Sequence, residues 1–267
     1  MPAVPPAAPP AVPPADGDVA QERRPLAGTS PQVAGTVRAA LRAGTPSHAR
    51  ALRSPVRRDN LSSLRKRLGQ RDQKILEYLF EHRCLTTHQI CDLFFDSPRT
   101  ARERMRELFE IDLVRRFQPQ ALRGEGSYPF HYVLGPTGAR LVAALRGVDV
   151  RTLGYRKGLE EQIAFSPKLL HLLDVNTFFS RLEWVCRRRG YRFEWWSEPR
   201  CLRRWGSVVR PDGYGVVRWN GAKLRFFLEM DRGTERPWRL SEKLPRYSEV
   251  ALSRKCPGPS PLLLQRD

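Results

Sequence analysis

Three carboxylates in one stretch of this chain are spaced so that they could hold a cation. The stretch from Val209 to Tyr247 contains two apolar runs separated by Asn220-Gly221, a pair typical of a tight β-hairpin. Alternation along the second run predicts Glu229 and Asp231 on one face of a strand, and Asp212 lies on the first run. An unpaired charge on a buried strand costs roughly several kcal/mol, so this cluster requires partners. A bound cation is one explanation.

Salt bridges are the other explanation for the carboxylates. Five basic residues are near enough in sequence to neutralise them: Arg210, Arg225, Arg232, Lys243 and Arg246. Asp231-Arg232-Gly233-Thr234 also fits a turn that opens the last helix. Both interpretations remain open from the sequence.

The composition favours a nucleic-acid partner. The chain has 267 residues, a formal net charge of +19 and a pI near 10.6, and a protein this basic usually binds a polyanion. No apolar stretch approaches the roughly 18 residues that cross a bilayer, and the N-terminus lacks the features of a secretion signal. We therefore expect a cytoplasmic protein with no membrane partner; oligomeric state is left undetermined.

The cysteines do not predict a zinc site. There are five, scattered and without a C-x-x-C pair, as in a protein with reduced thiols. His82, Cys84, His88 and Cys91 lie close together, but their spacing matches no usual zinc pattern and coincides with packing positions of predicted helices. No zinc is expected.

Shifts in composition divide the chain into five segments. Residues 1–68, rich in Pro and Ala and then basic, are predicted to be disordered because they bury too little apolar surface. The remaining segments are a DNA-binding domain at 69–146, a linker at 147–165, a second domain at 166–254 and an irregular tail at 255–267.

The segment 69–146 has the pattern of a winged helix-turn-helix. Helical spacing predicts a first helix ending near His82, and Thr86 or Thr87 can cap a short second one. Ser97-Pro98 begins a third helix that runs to about Phe109. Two short strands around a glycine-bearing tip follow, and then a helix through Leu145.

Arginines on this predicted domain are the candidate DNA contacts. Three line one side of the third helix, which would enter the major groove, and three belong to the hairpin or wing. The six are Arg99, Arg102, Arg106, Arg115, Arg116 and Arg123. Double-stranded DNA is the predicted partner, with a protein-interaction module as the alternative.

The sequence pattern of residues 166–254 predicts a helix, three strands and a second helix. The first helix runs from about Pro167 to Arg189 and is followed by a strand at Tyr191–Trp196 and then by the hairpin. His171, at the start of this helix, is expected to cap or pack rather than act as a general base. With the winged helix, these elements predict an α+β protein.

Four motifs in order resemble the replication-relaxation family over about residues 70–250. They are H-L-L-D-V-N at His171–Asn176, R-P-D-G at Arg210–Gly213, L-E-M-D-R-G-T-E at Leu228–Glu235 and K-L-x-R-Y at Lys243–Tyr247. The resemblance implies a protein of plasmid or mobile-element replication and DNA relaxation, working with other plasmid replication or relaxation proteins.

The second domain also resembles the PD-(D/E)xK nuclease fold. The resemblance makes Asp212 and Glu229 its acidic residues, puts Asp231 where lysine is usual, and makes Lys243 a displaced lysine. Pro245 is expected to kink or shorten the last helix. The C-terminus is shorter than the later strand and helix of such a fold require, as in a truncated copy.

Such a site has a definite chemistry. Asp212, Glu229 and Asp231 would bind Mg²⁺, a hard ion that prefers oxygen ligands, and Lys243 would stabilise the transition state. The prediction is a DNA-binding protein with a nuclease-like domain whose activity is left open. The alternatives are a Mg²⁺-dependent phosphodiesterase that acts as a DNA endonuclease or nickase, and a winged-helix transcriptional regulator.

Overall fold

The described part of the chain forms an α+β fold, as predicted, with two sheets. The computed structural model describes residue 64 and residues 68–119, 128–156, 158–231, 237–252 and 262–266. The segment predicted to be disordered therefore lies almost wholly outside the described residues. Within those residues, no helix is long and apolar enough to cross a membrane.

The N-terminal unit contains the predicted three helices and hairpin strands. Its elements are α1 (Gln70–His82), β1 (Leu85–Thr86), α2 (Thr87–Phe94), α3 (Pro98–Glu110), β2 (Val114–Phe117), β3 (His131–Leu134) and α4 (Pro136–Arg146). Thr86 caps α2 in a reciprocal pair of hydrogen bonds with Gln89. Ser97 caps α3, with Pro98 at its first position. The short β1 was not predicted, and it completes an antiparallel sheet of order β1-β3-β2.

The core of this unit is built from the helical stripes that the sequence predicts. Ala101, Met105 and Leu108 of α3 are fully buried against α1 and α2. Phe109, next to Leu108 on the same helix, is 36% exposed. It lies in the last turn of α3, where its ring packs under the guanidinium of Arg116 instead of entering the core.

The predicted linker, residues 147–165, is more structured than expected. It contains a 3₁₀ turn (Val150–Leu153) and the short helix α5 (Leu159–Ala164). Ile163 is buried and packs in one apolar cluster with Val133 of β3 and Leu169 beyond the linker. Contacts of this kind tie the segment to both units.

The C-terminal unit contains the predicted helix, three strands and helix, with two additions. Its elements are α6 (Leu169–Arg188), β4 (Arg192–Ser197), α7 (Glu198–Trp205), β5 (Gly213–Trp219), β6 (Ala222–Met230), α8 (Pro237–Leu252) and β7 (Leu262–Arg266). The helix α7 lies between two predicted strands. The expected irregular tail at 255–267 is wrong over β7, which pairs in parallel with β6 and supplies a later strand after all.

Two further predictions concern the geometry around β6. The hairpin turn is correct, because Asn220 and Gly221 both have positive φ and Trp219 pairs with Ala222. The sheet order is β4-β5-β6-β7. The helix α8 does not end at Pro245, because it continues past the proline to Leu252, and the expected kink remains a prediction.

Polar and aromatic contacts join the two units. The side-chain amide of Gln89 on α2 donates to the carbonyl of Leu173 and the hydroxyl of Thr177 on α6, at 3.0 and 2.8 Å. The ring of His82 stacks on Trp195 of β4, with centroids 3.5 Å apart. The hydrogen bonds of Gln89 hold α2 against α6, and the stacked rings hold the end of α1 against β4.

Candidate functional site

Asp212 lies immediately before β5 and is tied to the end of β6. Its backbone N–H donates to the carbonyl of Leu228 at 3.0 Å, and its Oδ2 accepts the N–H of Met230 at 2.8 Å. These two bonds fall on either side of Glu229. Asp212 therefore lies beside Glu229 across the hairpin.

His171 is a partner of Asp212 that sequence reasoning missed. Its Nε2 lies 2.8 Å from Oδ1 of Asp212, and both side chains are partly buried. The hydrogen bond to Asp212 raises the pKa of His171, and it outweighs burial, which acts in the opposite direction. The expectation that this histidine only caps or packs is thus corrected. His171 and Asp212 are far apart in sequence, so no local pattern links them. The available signal was that His171 lies in one of the four family motifs.

Glu229 receives two donors from α8. Lys243 Nζ lies 2.9 Å from Oε2, and the hydroxyl of Tyr247 donates to Oε1. Burial raises the pKa of Glu229, while the bonds from Tyr247 and Lys243 oppose that shift. Burial beside the same carboxylate also raises the pKa of Tyr247. Lys243 thus contacts Glu229, and the contact from Tyr247 was not predicted.

The shared face of β6 brings these groups together. Phe227 and Glu229 both contact Tyr247, the first through its ring and the second through a hydrogen bond. Phe226 and Leu228 point the other way, into the cluster around Phe179 of α6. The predicted alternation is confirmed, and the reason is that each face of the strand packs on a different helix.

Asp231 is the third predicted metal ligand. It follows the last residue of β6 and is partly buried, and residues 232–236 lie outside the described part of the chain. Among the described residues, no group of three His, Cys, Asp or Glu side chains is arranged to hold a metal ion.

Asp212 and Glu229 nevertheless retain acceptor capacity. Each of their carboxylate oxygens has a hydrogen-bonding partner in the structure, but an ionised carboxylate offers about four lone-pair sites. The donor set is therefore chemically suited to a hard cation at two ligands, with water completing the coordination. Binding of Mg²⁺ remains a prediction.

A cleft opens beside Asp212, between the two units. Its volume is about 90 Å³, where roughly 10–15 Å³ suffices for one water molecule. It is lined from the N-terminal unit by Glu81, His82 and Arg83, and from the C-terminal unit by Lys168, His171, Ser197, Glu198 and Asp212, with apolar side chains of α5 and α6. The candidate site thus faces a space that both units shape.

The arginine face of α3 is directed to solvent. Arg99, Arg102 and Arg106 are all exposed. Arg99 pairs with Glu103 at 2.9 Å and Arg106 with Glu110 at 3.8 Å, both along the helix surface. Exposed pairs of this kind are worth only about 0–1 kcal/mol, so they yield readily to a phosphate.

The arginines of the predicted wing differ from those of α3. Arg115 bonds Asp112 and Glu160, at 3.0 and 3.2 Å. Arg116 lies over the rings of Phe109 and Phe130, at 4.4 and 4.2 Å. Both guanidinium groups are thus held by the protein itself, and their contact with DNA remains a prediction. Arg123 lies outside the described residues.

Comparison with known proteins gives one match. A protein-family model described as replication-relaxation matches residues 76–261, well over half of the chain. No match was found among curated proteins or among solved structures. The matched region spans both units and contains every residue of the candidate site.

Proposed function

This chain belongs to the replication-relaxation family, and on that basis we propose that it binds double-stranded DNA in plasmid or mobile-element replication or DNA relaxation. The N-terminal unit is interpreted as a winged helix. Its order of α1, β1, α2, α3 and a β2–β3 hairpin is that of a helix-turn-helix followed by a wing. A cytoplasmic location and partnership with other replication or relaxation proteins belong to the same proposal.

The observation that carries this proposal is the exposed basic face of α3. Three arginines spaced by three and four residues project from a helix whose opposite side is fully buried. A helix in this position of a winged helix docks in the major groove, where arginine bonds guanine edges or phosphates. The chain's charge of +19 adds long-range attraction to DNA.

Removing two of these charges tests the proposal. The variant Arg102→Ala with Arg106→Ala is compared with Arg189→Ala with Arg192→Ala, which removes two exposed arginines that do not belong to α3. Only the first pair is expected to weaken binding to a labelled duplex and to flatten its salt dependence, by roughly 0.9 in slope for each phosphate that is no longer neutralised. Equal binding by both variants would exclude α3 as the contact surface. A single specific operator in footprinting would favour the transcriptional regulator.

A second candidate function is Mg²⁺-dependent cleavage of a DNA phosphodiester. The specific observation in its favour is that Asp212 and Glu229 adjoin at the ends of two paired strands, beside Lys243 and an open cleft. The order α6, β4, α7, β5, β6, α8, β7, with β7 parallel to β6, fits a nuclease-like interpretation in which α7 is an insertion between two strands.

In this interpretation each side chain has a role. Mg²⁺, when bound, supplies an activated water and neutralises charge on the phosphate. Asp212 and Glu229 would hold the ion, with Asp231 as the third predicted ligand. Lys243 holds Glu229 and carries positive charge toward the phosphate, and His171 fixes the orientation of Asp212.

Incubation with supercoiled plasmid tests for this activity. The protein is assayed with Mg²⁺, with a chelator, and as Asp212→Ala. Relaxation that requires Mg²⁺ and disappears in the variant is the expected result for a nickase. Plasmid that stays supercoiled under all conditions, while duplex binding persists, would leave the protein as a binding module.

A further inference from the structure

The turn between α1 and β1 holds Arg83 in an unusual backbone conformation. Its φ is 67°, in the left-handed region that favours glycine. A non-glycine residue in this region costs free energy, and it persists only where the surrounding structure enforces it. Positions of this kind often serve function, so the side chain that the turn presents requires an explanation.

The C-terminal unit enforces this conformation through Asn176. The side-chain amide of Asn176, buried on α6, donates to the carbonyl of His82 at 3.2 Å and to that of Cys84 at 2.7 Å. The two carbonyls flank Arg83. The ring of His82, the residue before Arg83, is stacked on Trp195 of the C-terminal unit. The turn is closed by a hydrogen bond of its own, from the N–H of Cys84 to the carbonyl of His82 at 2.7 Å, and the other unit holds it in addition.

The fixed turn places Arg83 at the cleft that contains Asp212. Arg83 is exposed and lines the cleft together with Lys168 and His171. In the part of the chain that the structure describes, neither Arg83 nor Lys168 forms an ion pair. Exposed cations from two units thus meet at one opening, where they are free to bind an anion.

The cleft is also lined by neutral and negatively charged groups. Burial lowers the pKa of His82 to about 3, so its ring is neutral. Glu81 accepts from the Ser197 hydroxyl at 2.8 Å, and Asp212 accepts the N–H of Met230 and lies 2.8 Å from Nε2 of His171. Glu198 lines the cleft as well, and its charge contributes to the raised pKa of His171.

We propose that this cleft binds the phosphodiester backbone of a single nucleic-acid strand, with Arg83 and Lys168 contacting its phosphates. The cleft has room for a phosphate and sugar, whereas a duplex is far too wide. The proposal rests on the DNA binding proposed above and adds to it a second surface. The exposed face of α3 holds the duplex, and the cleft receives a strand displaced from it beside Asp212 and His171.

The test compares two probes in fluorescence anisotropy with the full chain. One is a plain duplex and the other is a single-stranded oligonucleotide. Arg83→Gly removes the charge and relieves the backbone, and Arg83→Asn removes the charge while tolerating a positive φ. Arg151→Ala is the matched control, because it removes an exposed arginine that does not line the cleft.

We expect both Arg83 variants and Lys168→Ala to bind the single strand about tenfold more weakly. The salt slope should fall by about 0.7, the value for one phosphate that is no longer neutralised on a single strand. Duplex affinity should not change, and the melting temperature of Arg83→Gly should stay equal or rise. Inorganic phosphate or a mononucleotide should not displace the strand at comparable concentrations.

Three results would overturn the proposal. Single-strand affinity equal to that of the Arg151→Ala control would exclude Arg83 from the contact. Displacement of the strand by inorganic phosphate alone would mean a small-anion site. An equal loss of affinity for the single strand and for the duplex would mean that Arg83 contributes only non-specific electrostatic attraction to nucleic acid. Failure of the unmodified protein to bind any duplex would instead refute the proposed function, which separates the two failures.

Discussion

Substitution of Gly213 by alanine should disturb the candidate site by displacing the strand that carries it. A Cβ at this position would lie 2.7 Å from Cζ of Phe179 and closer still to its Cε2. The ring of Phe179 cannot retreat, because it is fully buried and stacked against Trp195 and Phe226. The methyl group must therefore push β5, and with it the neighbouring Asp212, away from α6.

The size of the effect follows from the cost of overpacking. An extra methyl in a well-packed core costs about 1–3 kcal/mol, and one kcal/mol shifts the melting temperature of a protein of this size by about 2–4 °C. A loss of about 2 kcal/mol, or about 4–8 °C, is expected in thermal and urea unfolding. The control is Gly147→Ala, where φ is +65° but nothing lies within 4 Å, so only a backbone cost of about 1 kcal/mol applies.

A double-mutant cycle identifies the clash as the cause. Phe179→Leu removes the ring, so the combination with Gly213→Ala should be less destabilised than the sum of the two single variants. Additive losses, or a Gly213→Ala protein that unfolds like the parent, would refute the packing argument. They would also remove the reason for a glycine after Asp212.

The remaining predictions concern the polar contacts of the site. Asp212→Asn should lower the pKa of His171 measured by NMR, because the carboxylate holds that pKa above its ordinary value. The stability that this pair contributes is present below the pKa of His171 in the unfolded chain and is lost as the pH rises through its pKa in the folded protein. An unchanged titration of His171 would contradict the contact. Lys243→Ala should raise the already raised pKa of Glu229, because it removes a cation that favours the ionised carboxylate. The variant should therefore lose more stability against urea at pH 7.5 than at pH 5. Equal losses at the two pH values would count against the pair. Asn176→Ala should destabilise by about 1–3 kcal/mol, because it removes the side-chain donor to the carbonyl of Cys84 and one of the two donors to the carbonyl of His82. Full stability would mean that the turn holds itself.

Local signals in the sequence were sufficient for much of the fold. Ser97-Pro98 predicted the start of α3, and Asn220-Gly221 predicted the hairpin, because capping and turn geometry depend on a few adjacent residues. The same kind of signal was present and overlooked at Ser197-Glu198-Pro199, where Ser197 caps α7. The strand β7 had no such local signal, since its pairing with β6 depends on a partner more than thirty residues away.

The candidate site likewise has features that local sequence patterns predicted and contacts that they could not predict. Alternation along β6 predicted that Glu229 would share a face with Phe227, and the charge of the chain and the spacing of its arginines predicted the exposed face of α3. The bond from His171 to Asp212 could not be predicted, nor could the two bonds from Asn176 to the turn at Arg83.

The order of residues specifies where basic, apolar and acidic side chains fall along the chain, and periodicity and capping then specify most helices and strands. Which of the charged groups meet depends on tertiary packing. The packing of α6 on both units sets one end of the motif His171–Asn176 against Asp212 and the other against the turn that presents Arg83. Periodicity depends on neighbours along the chain, whereas a hydrogen bond between distant residues depends on how whole elements pack.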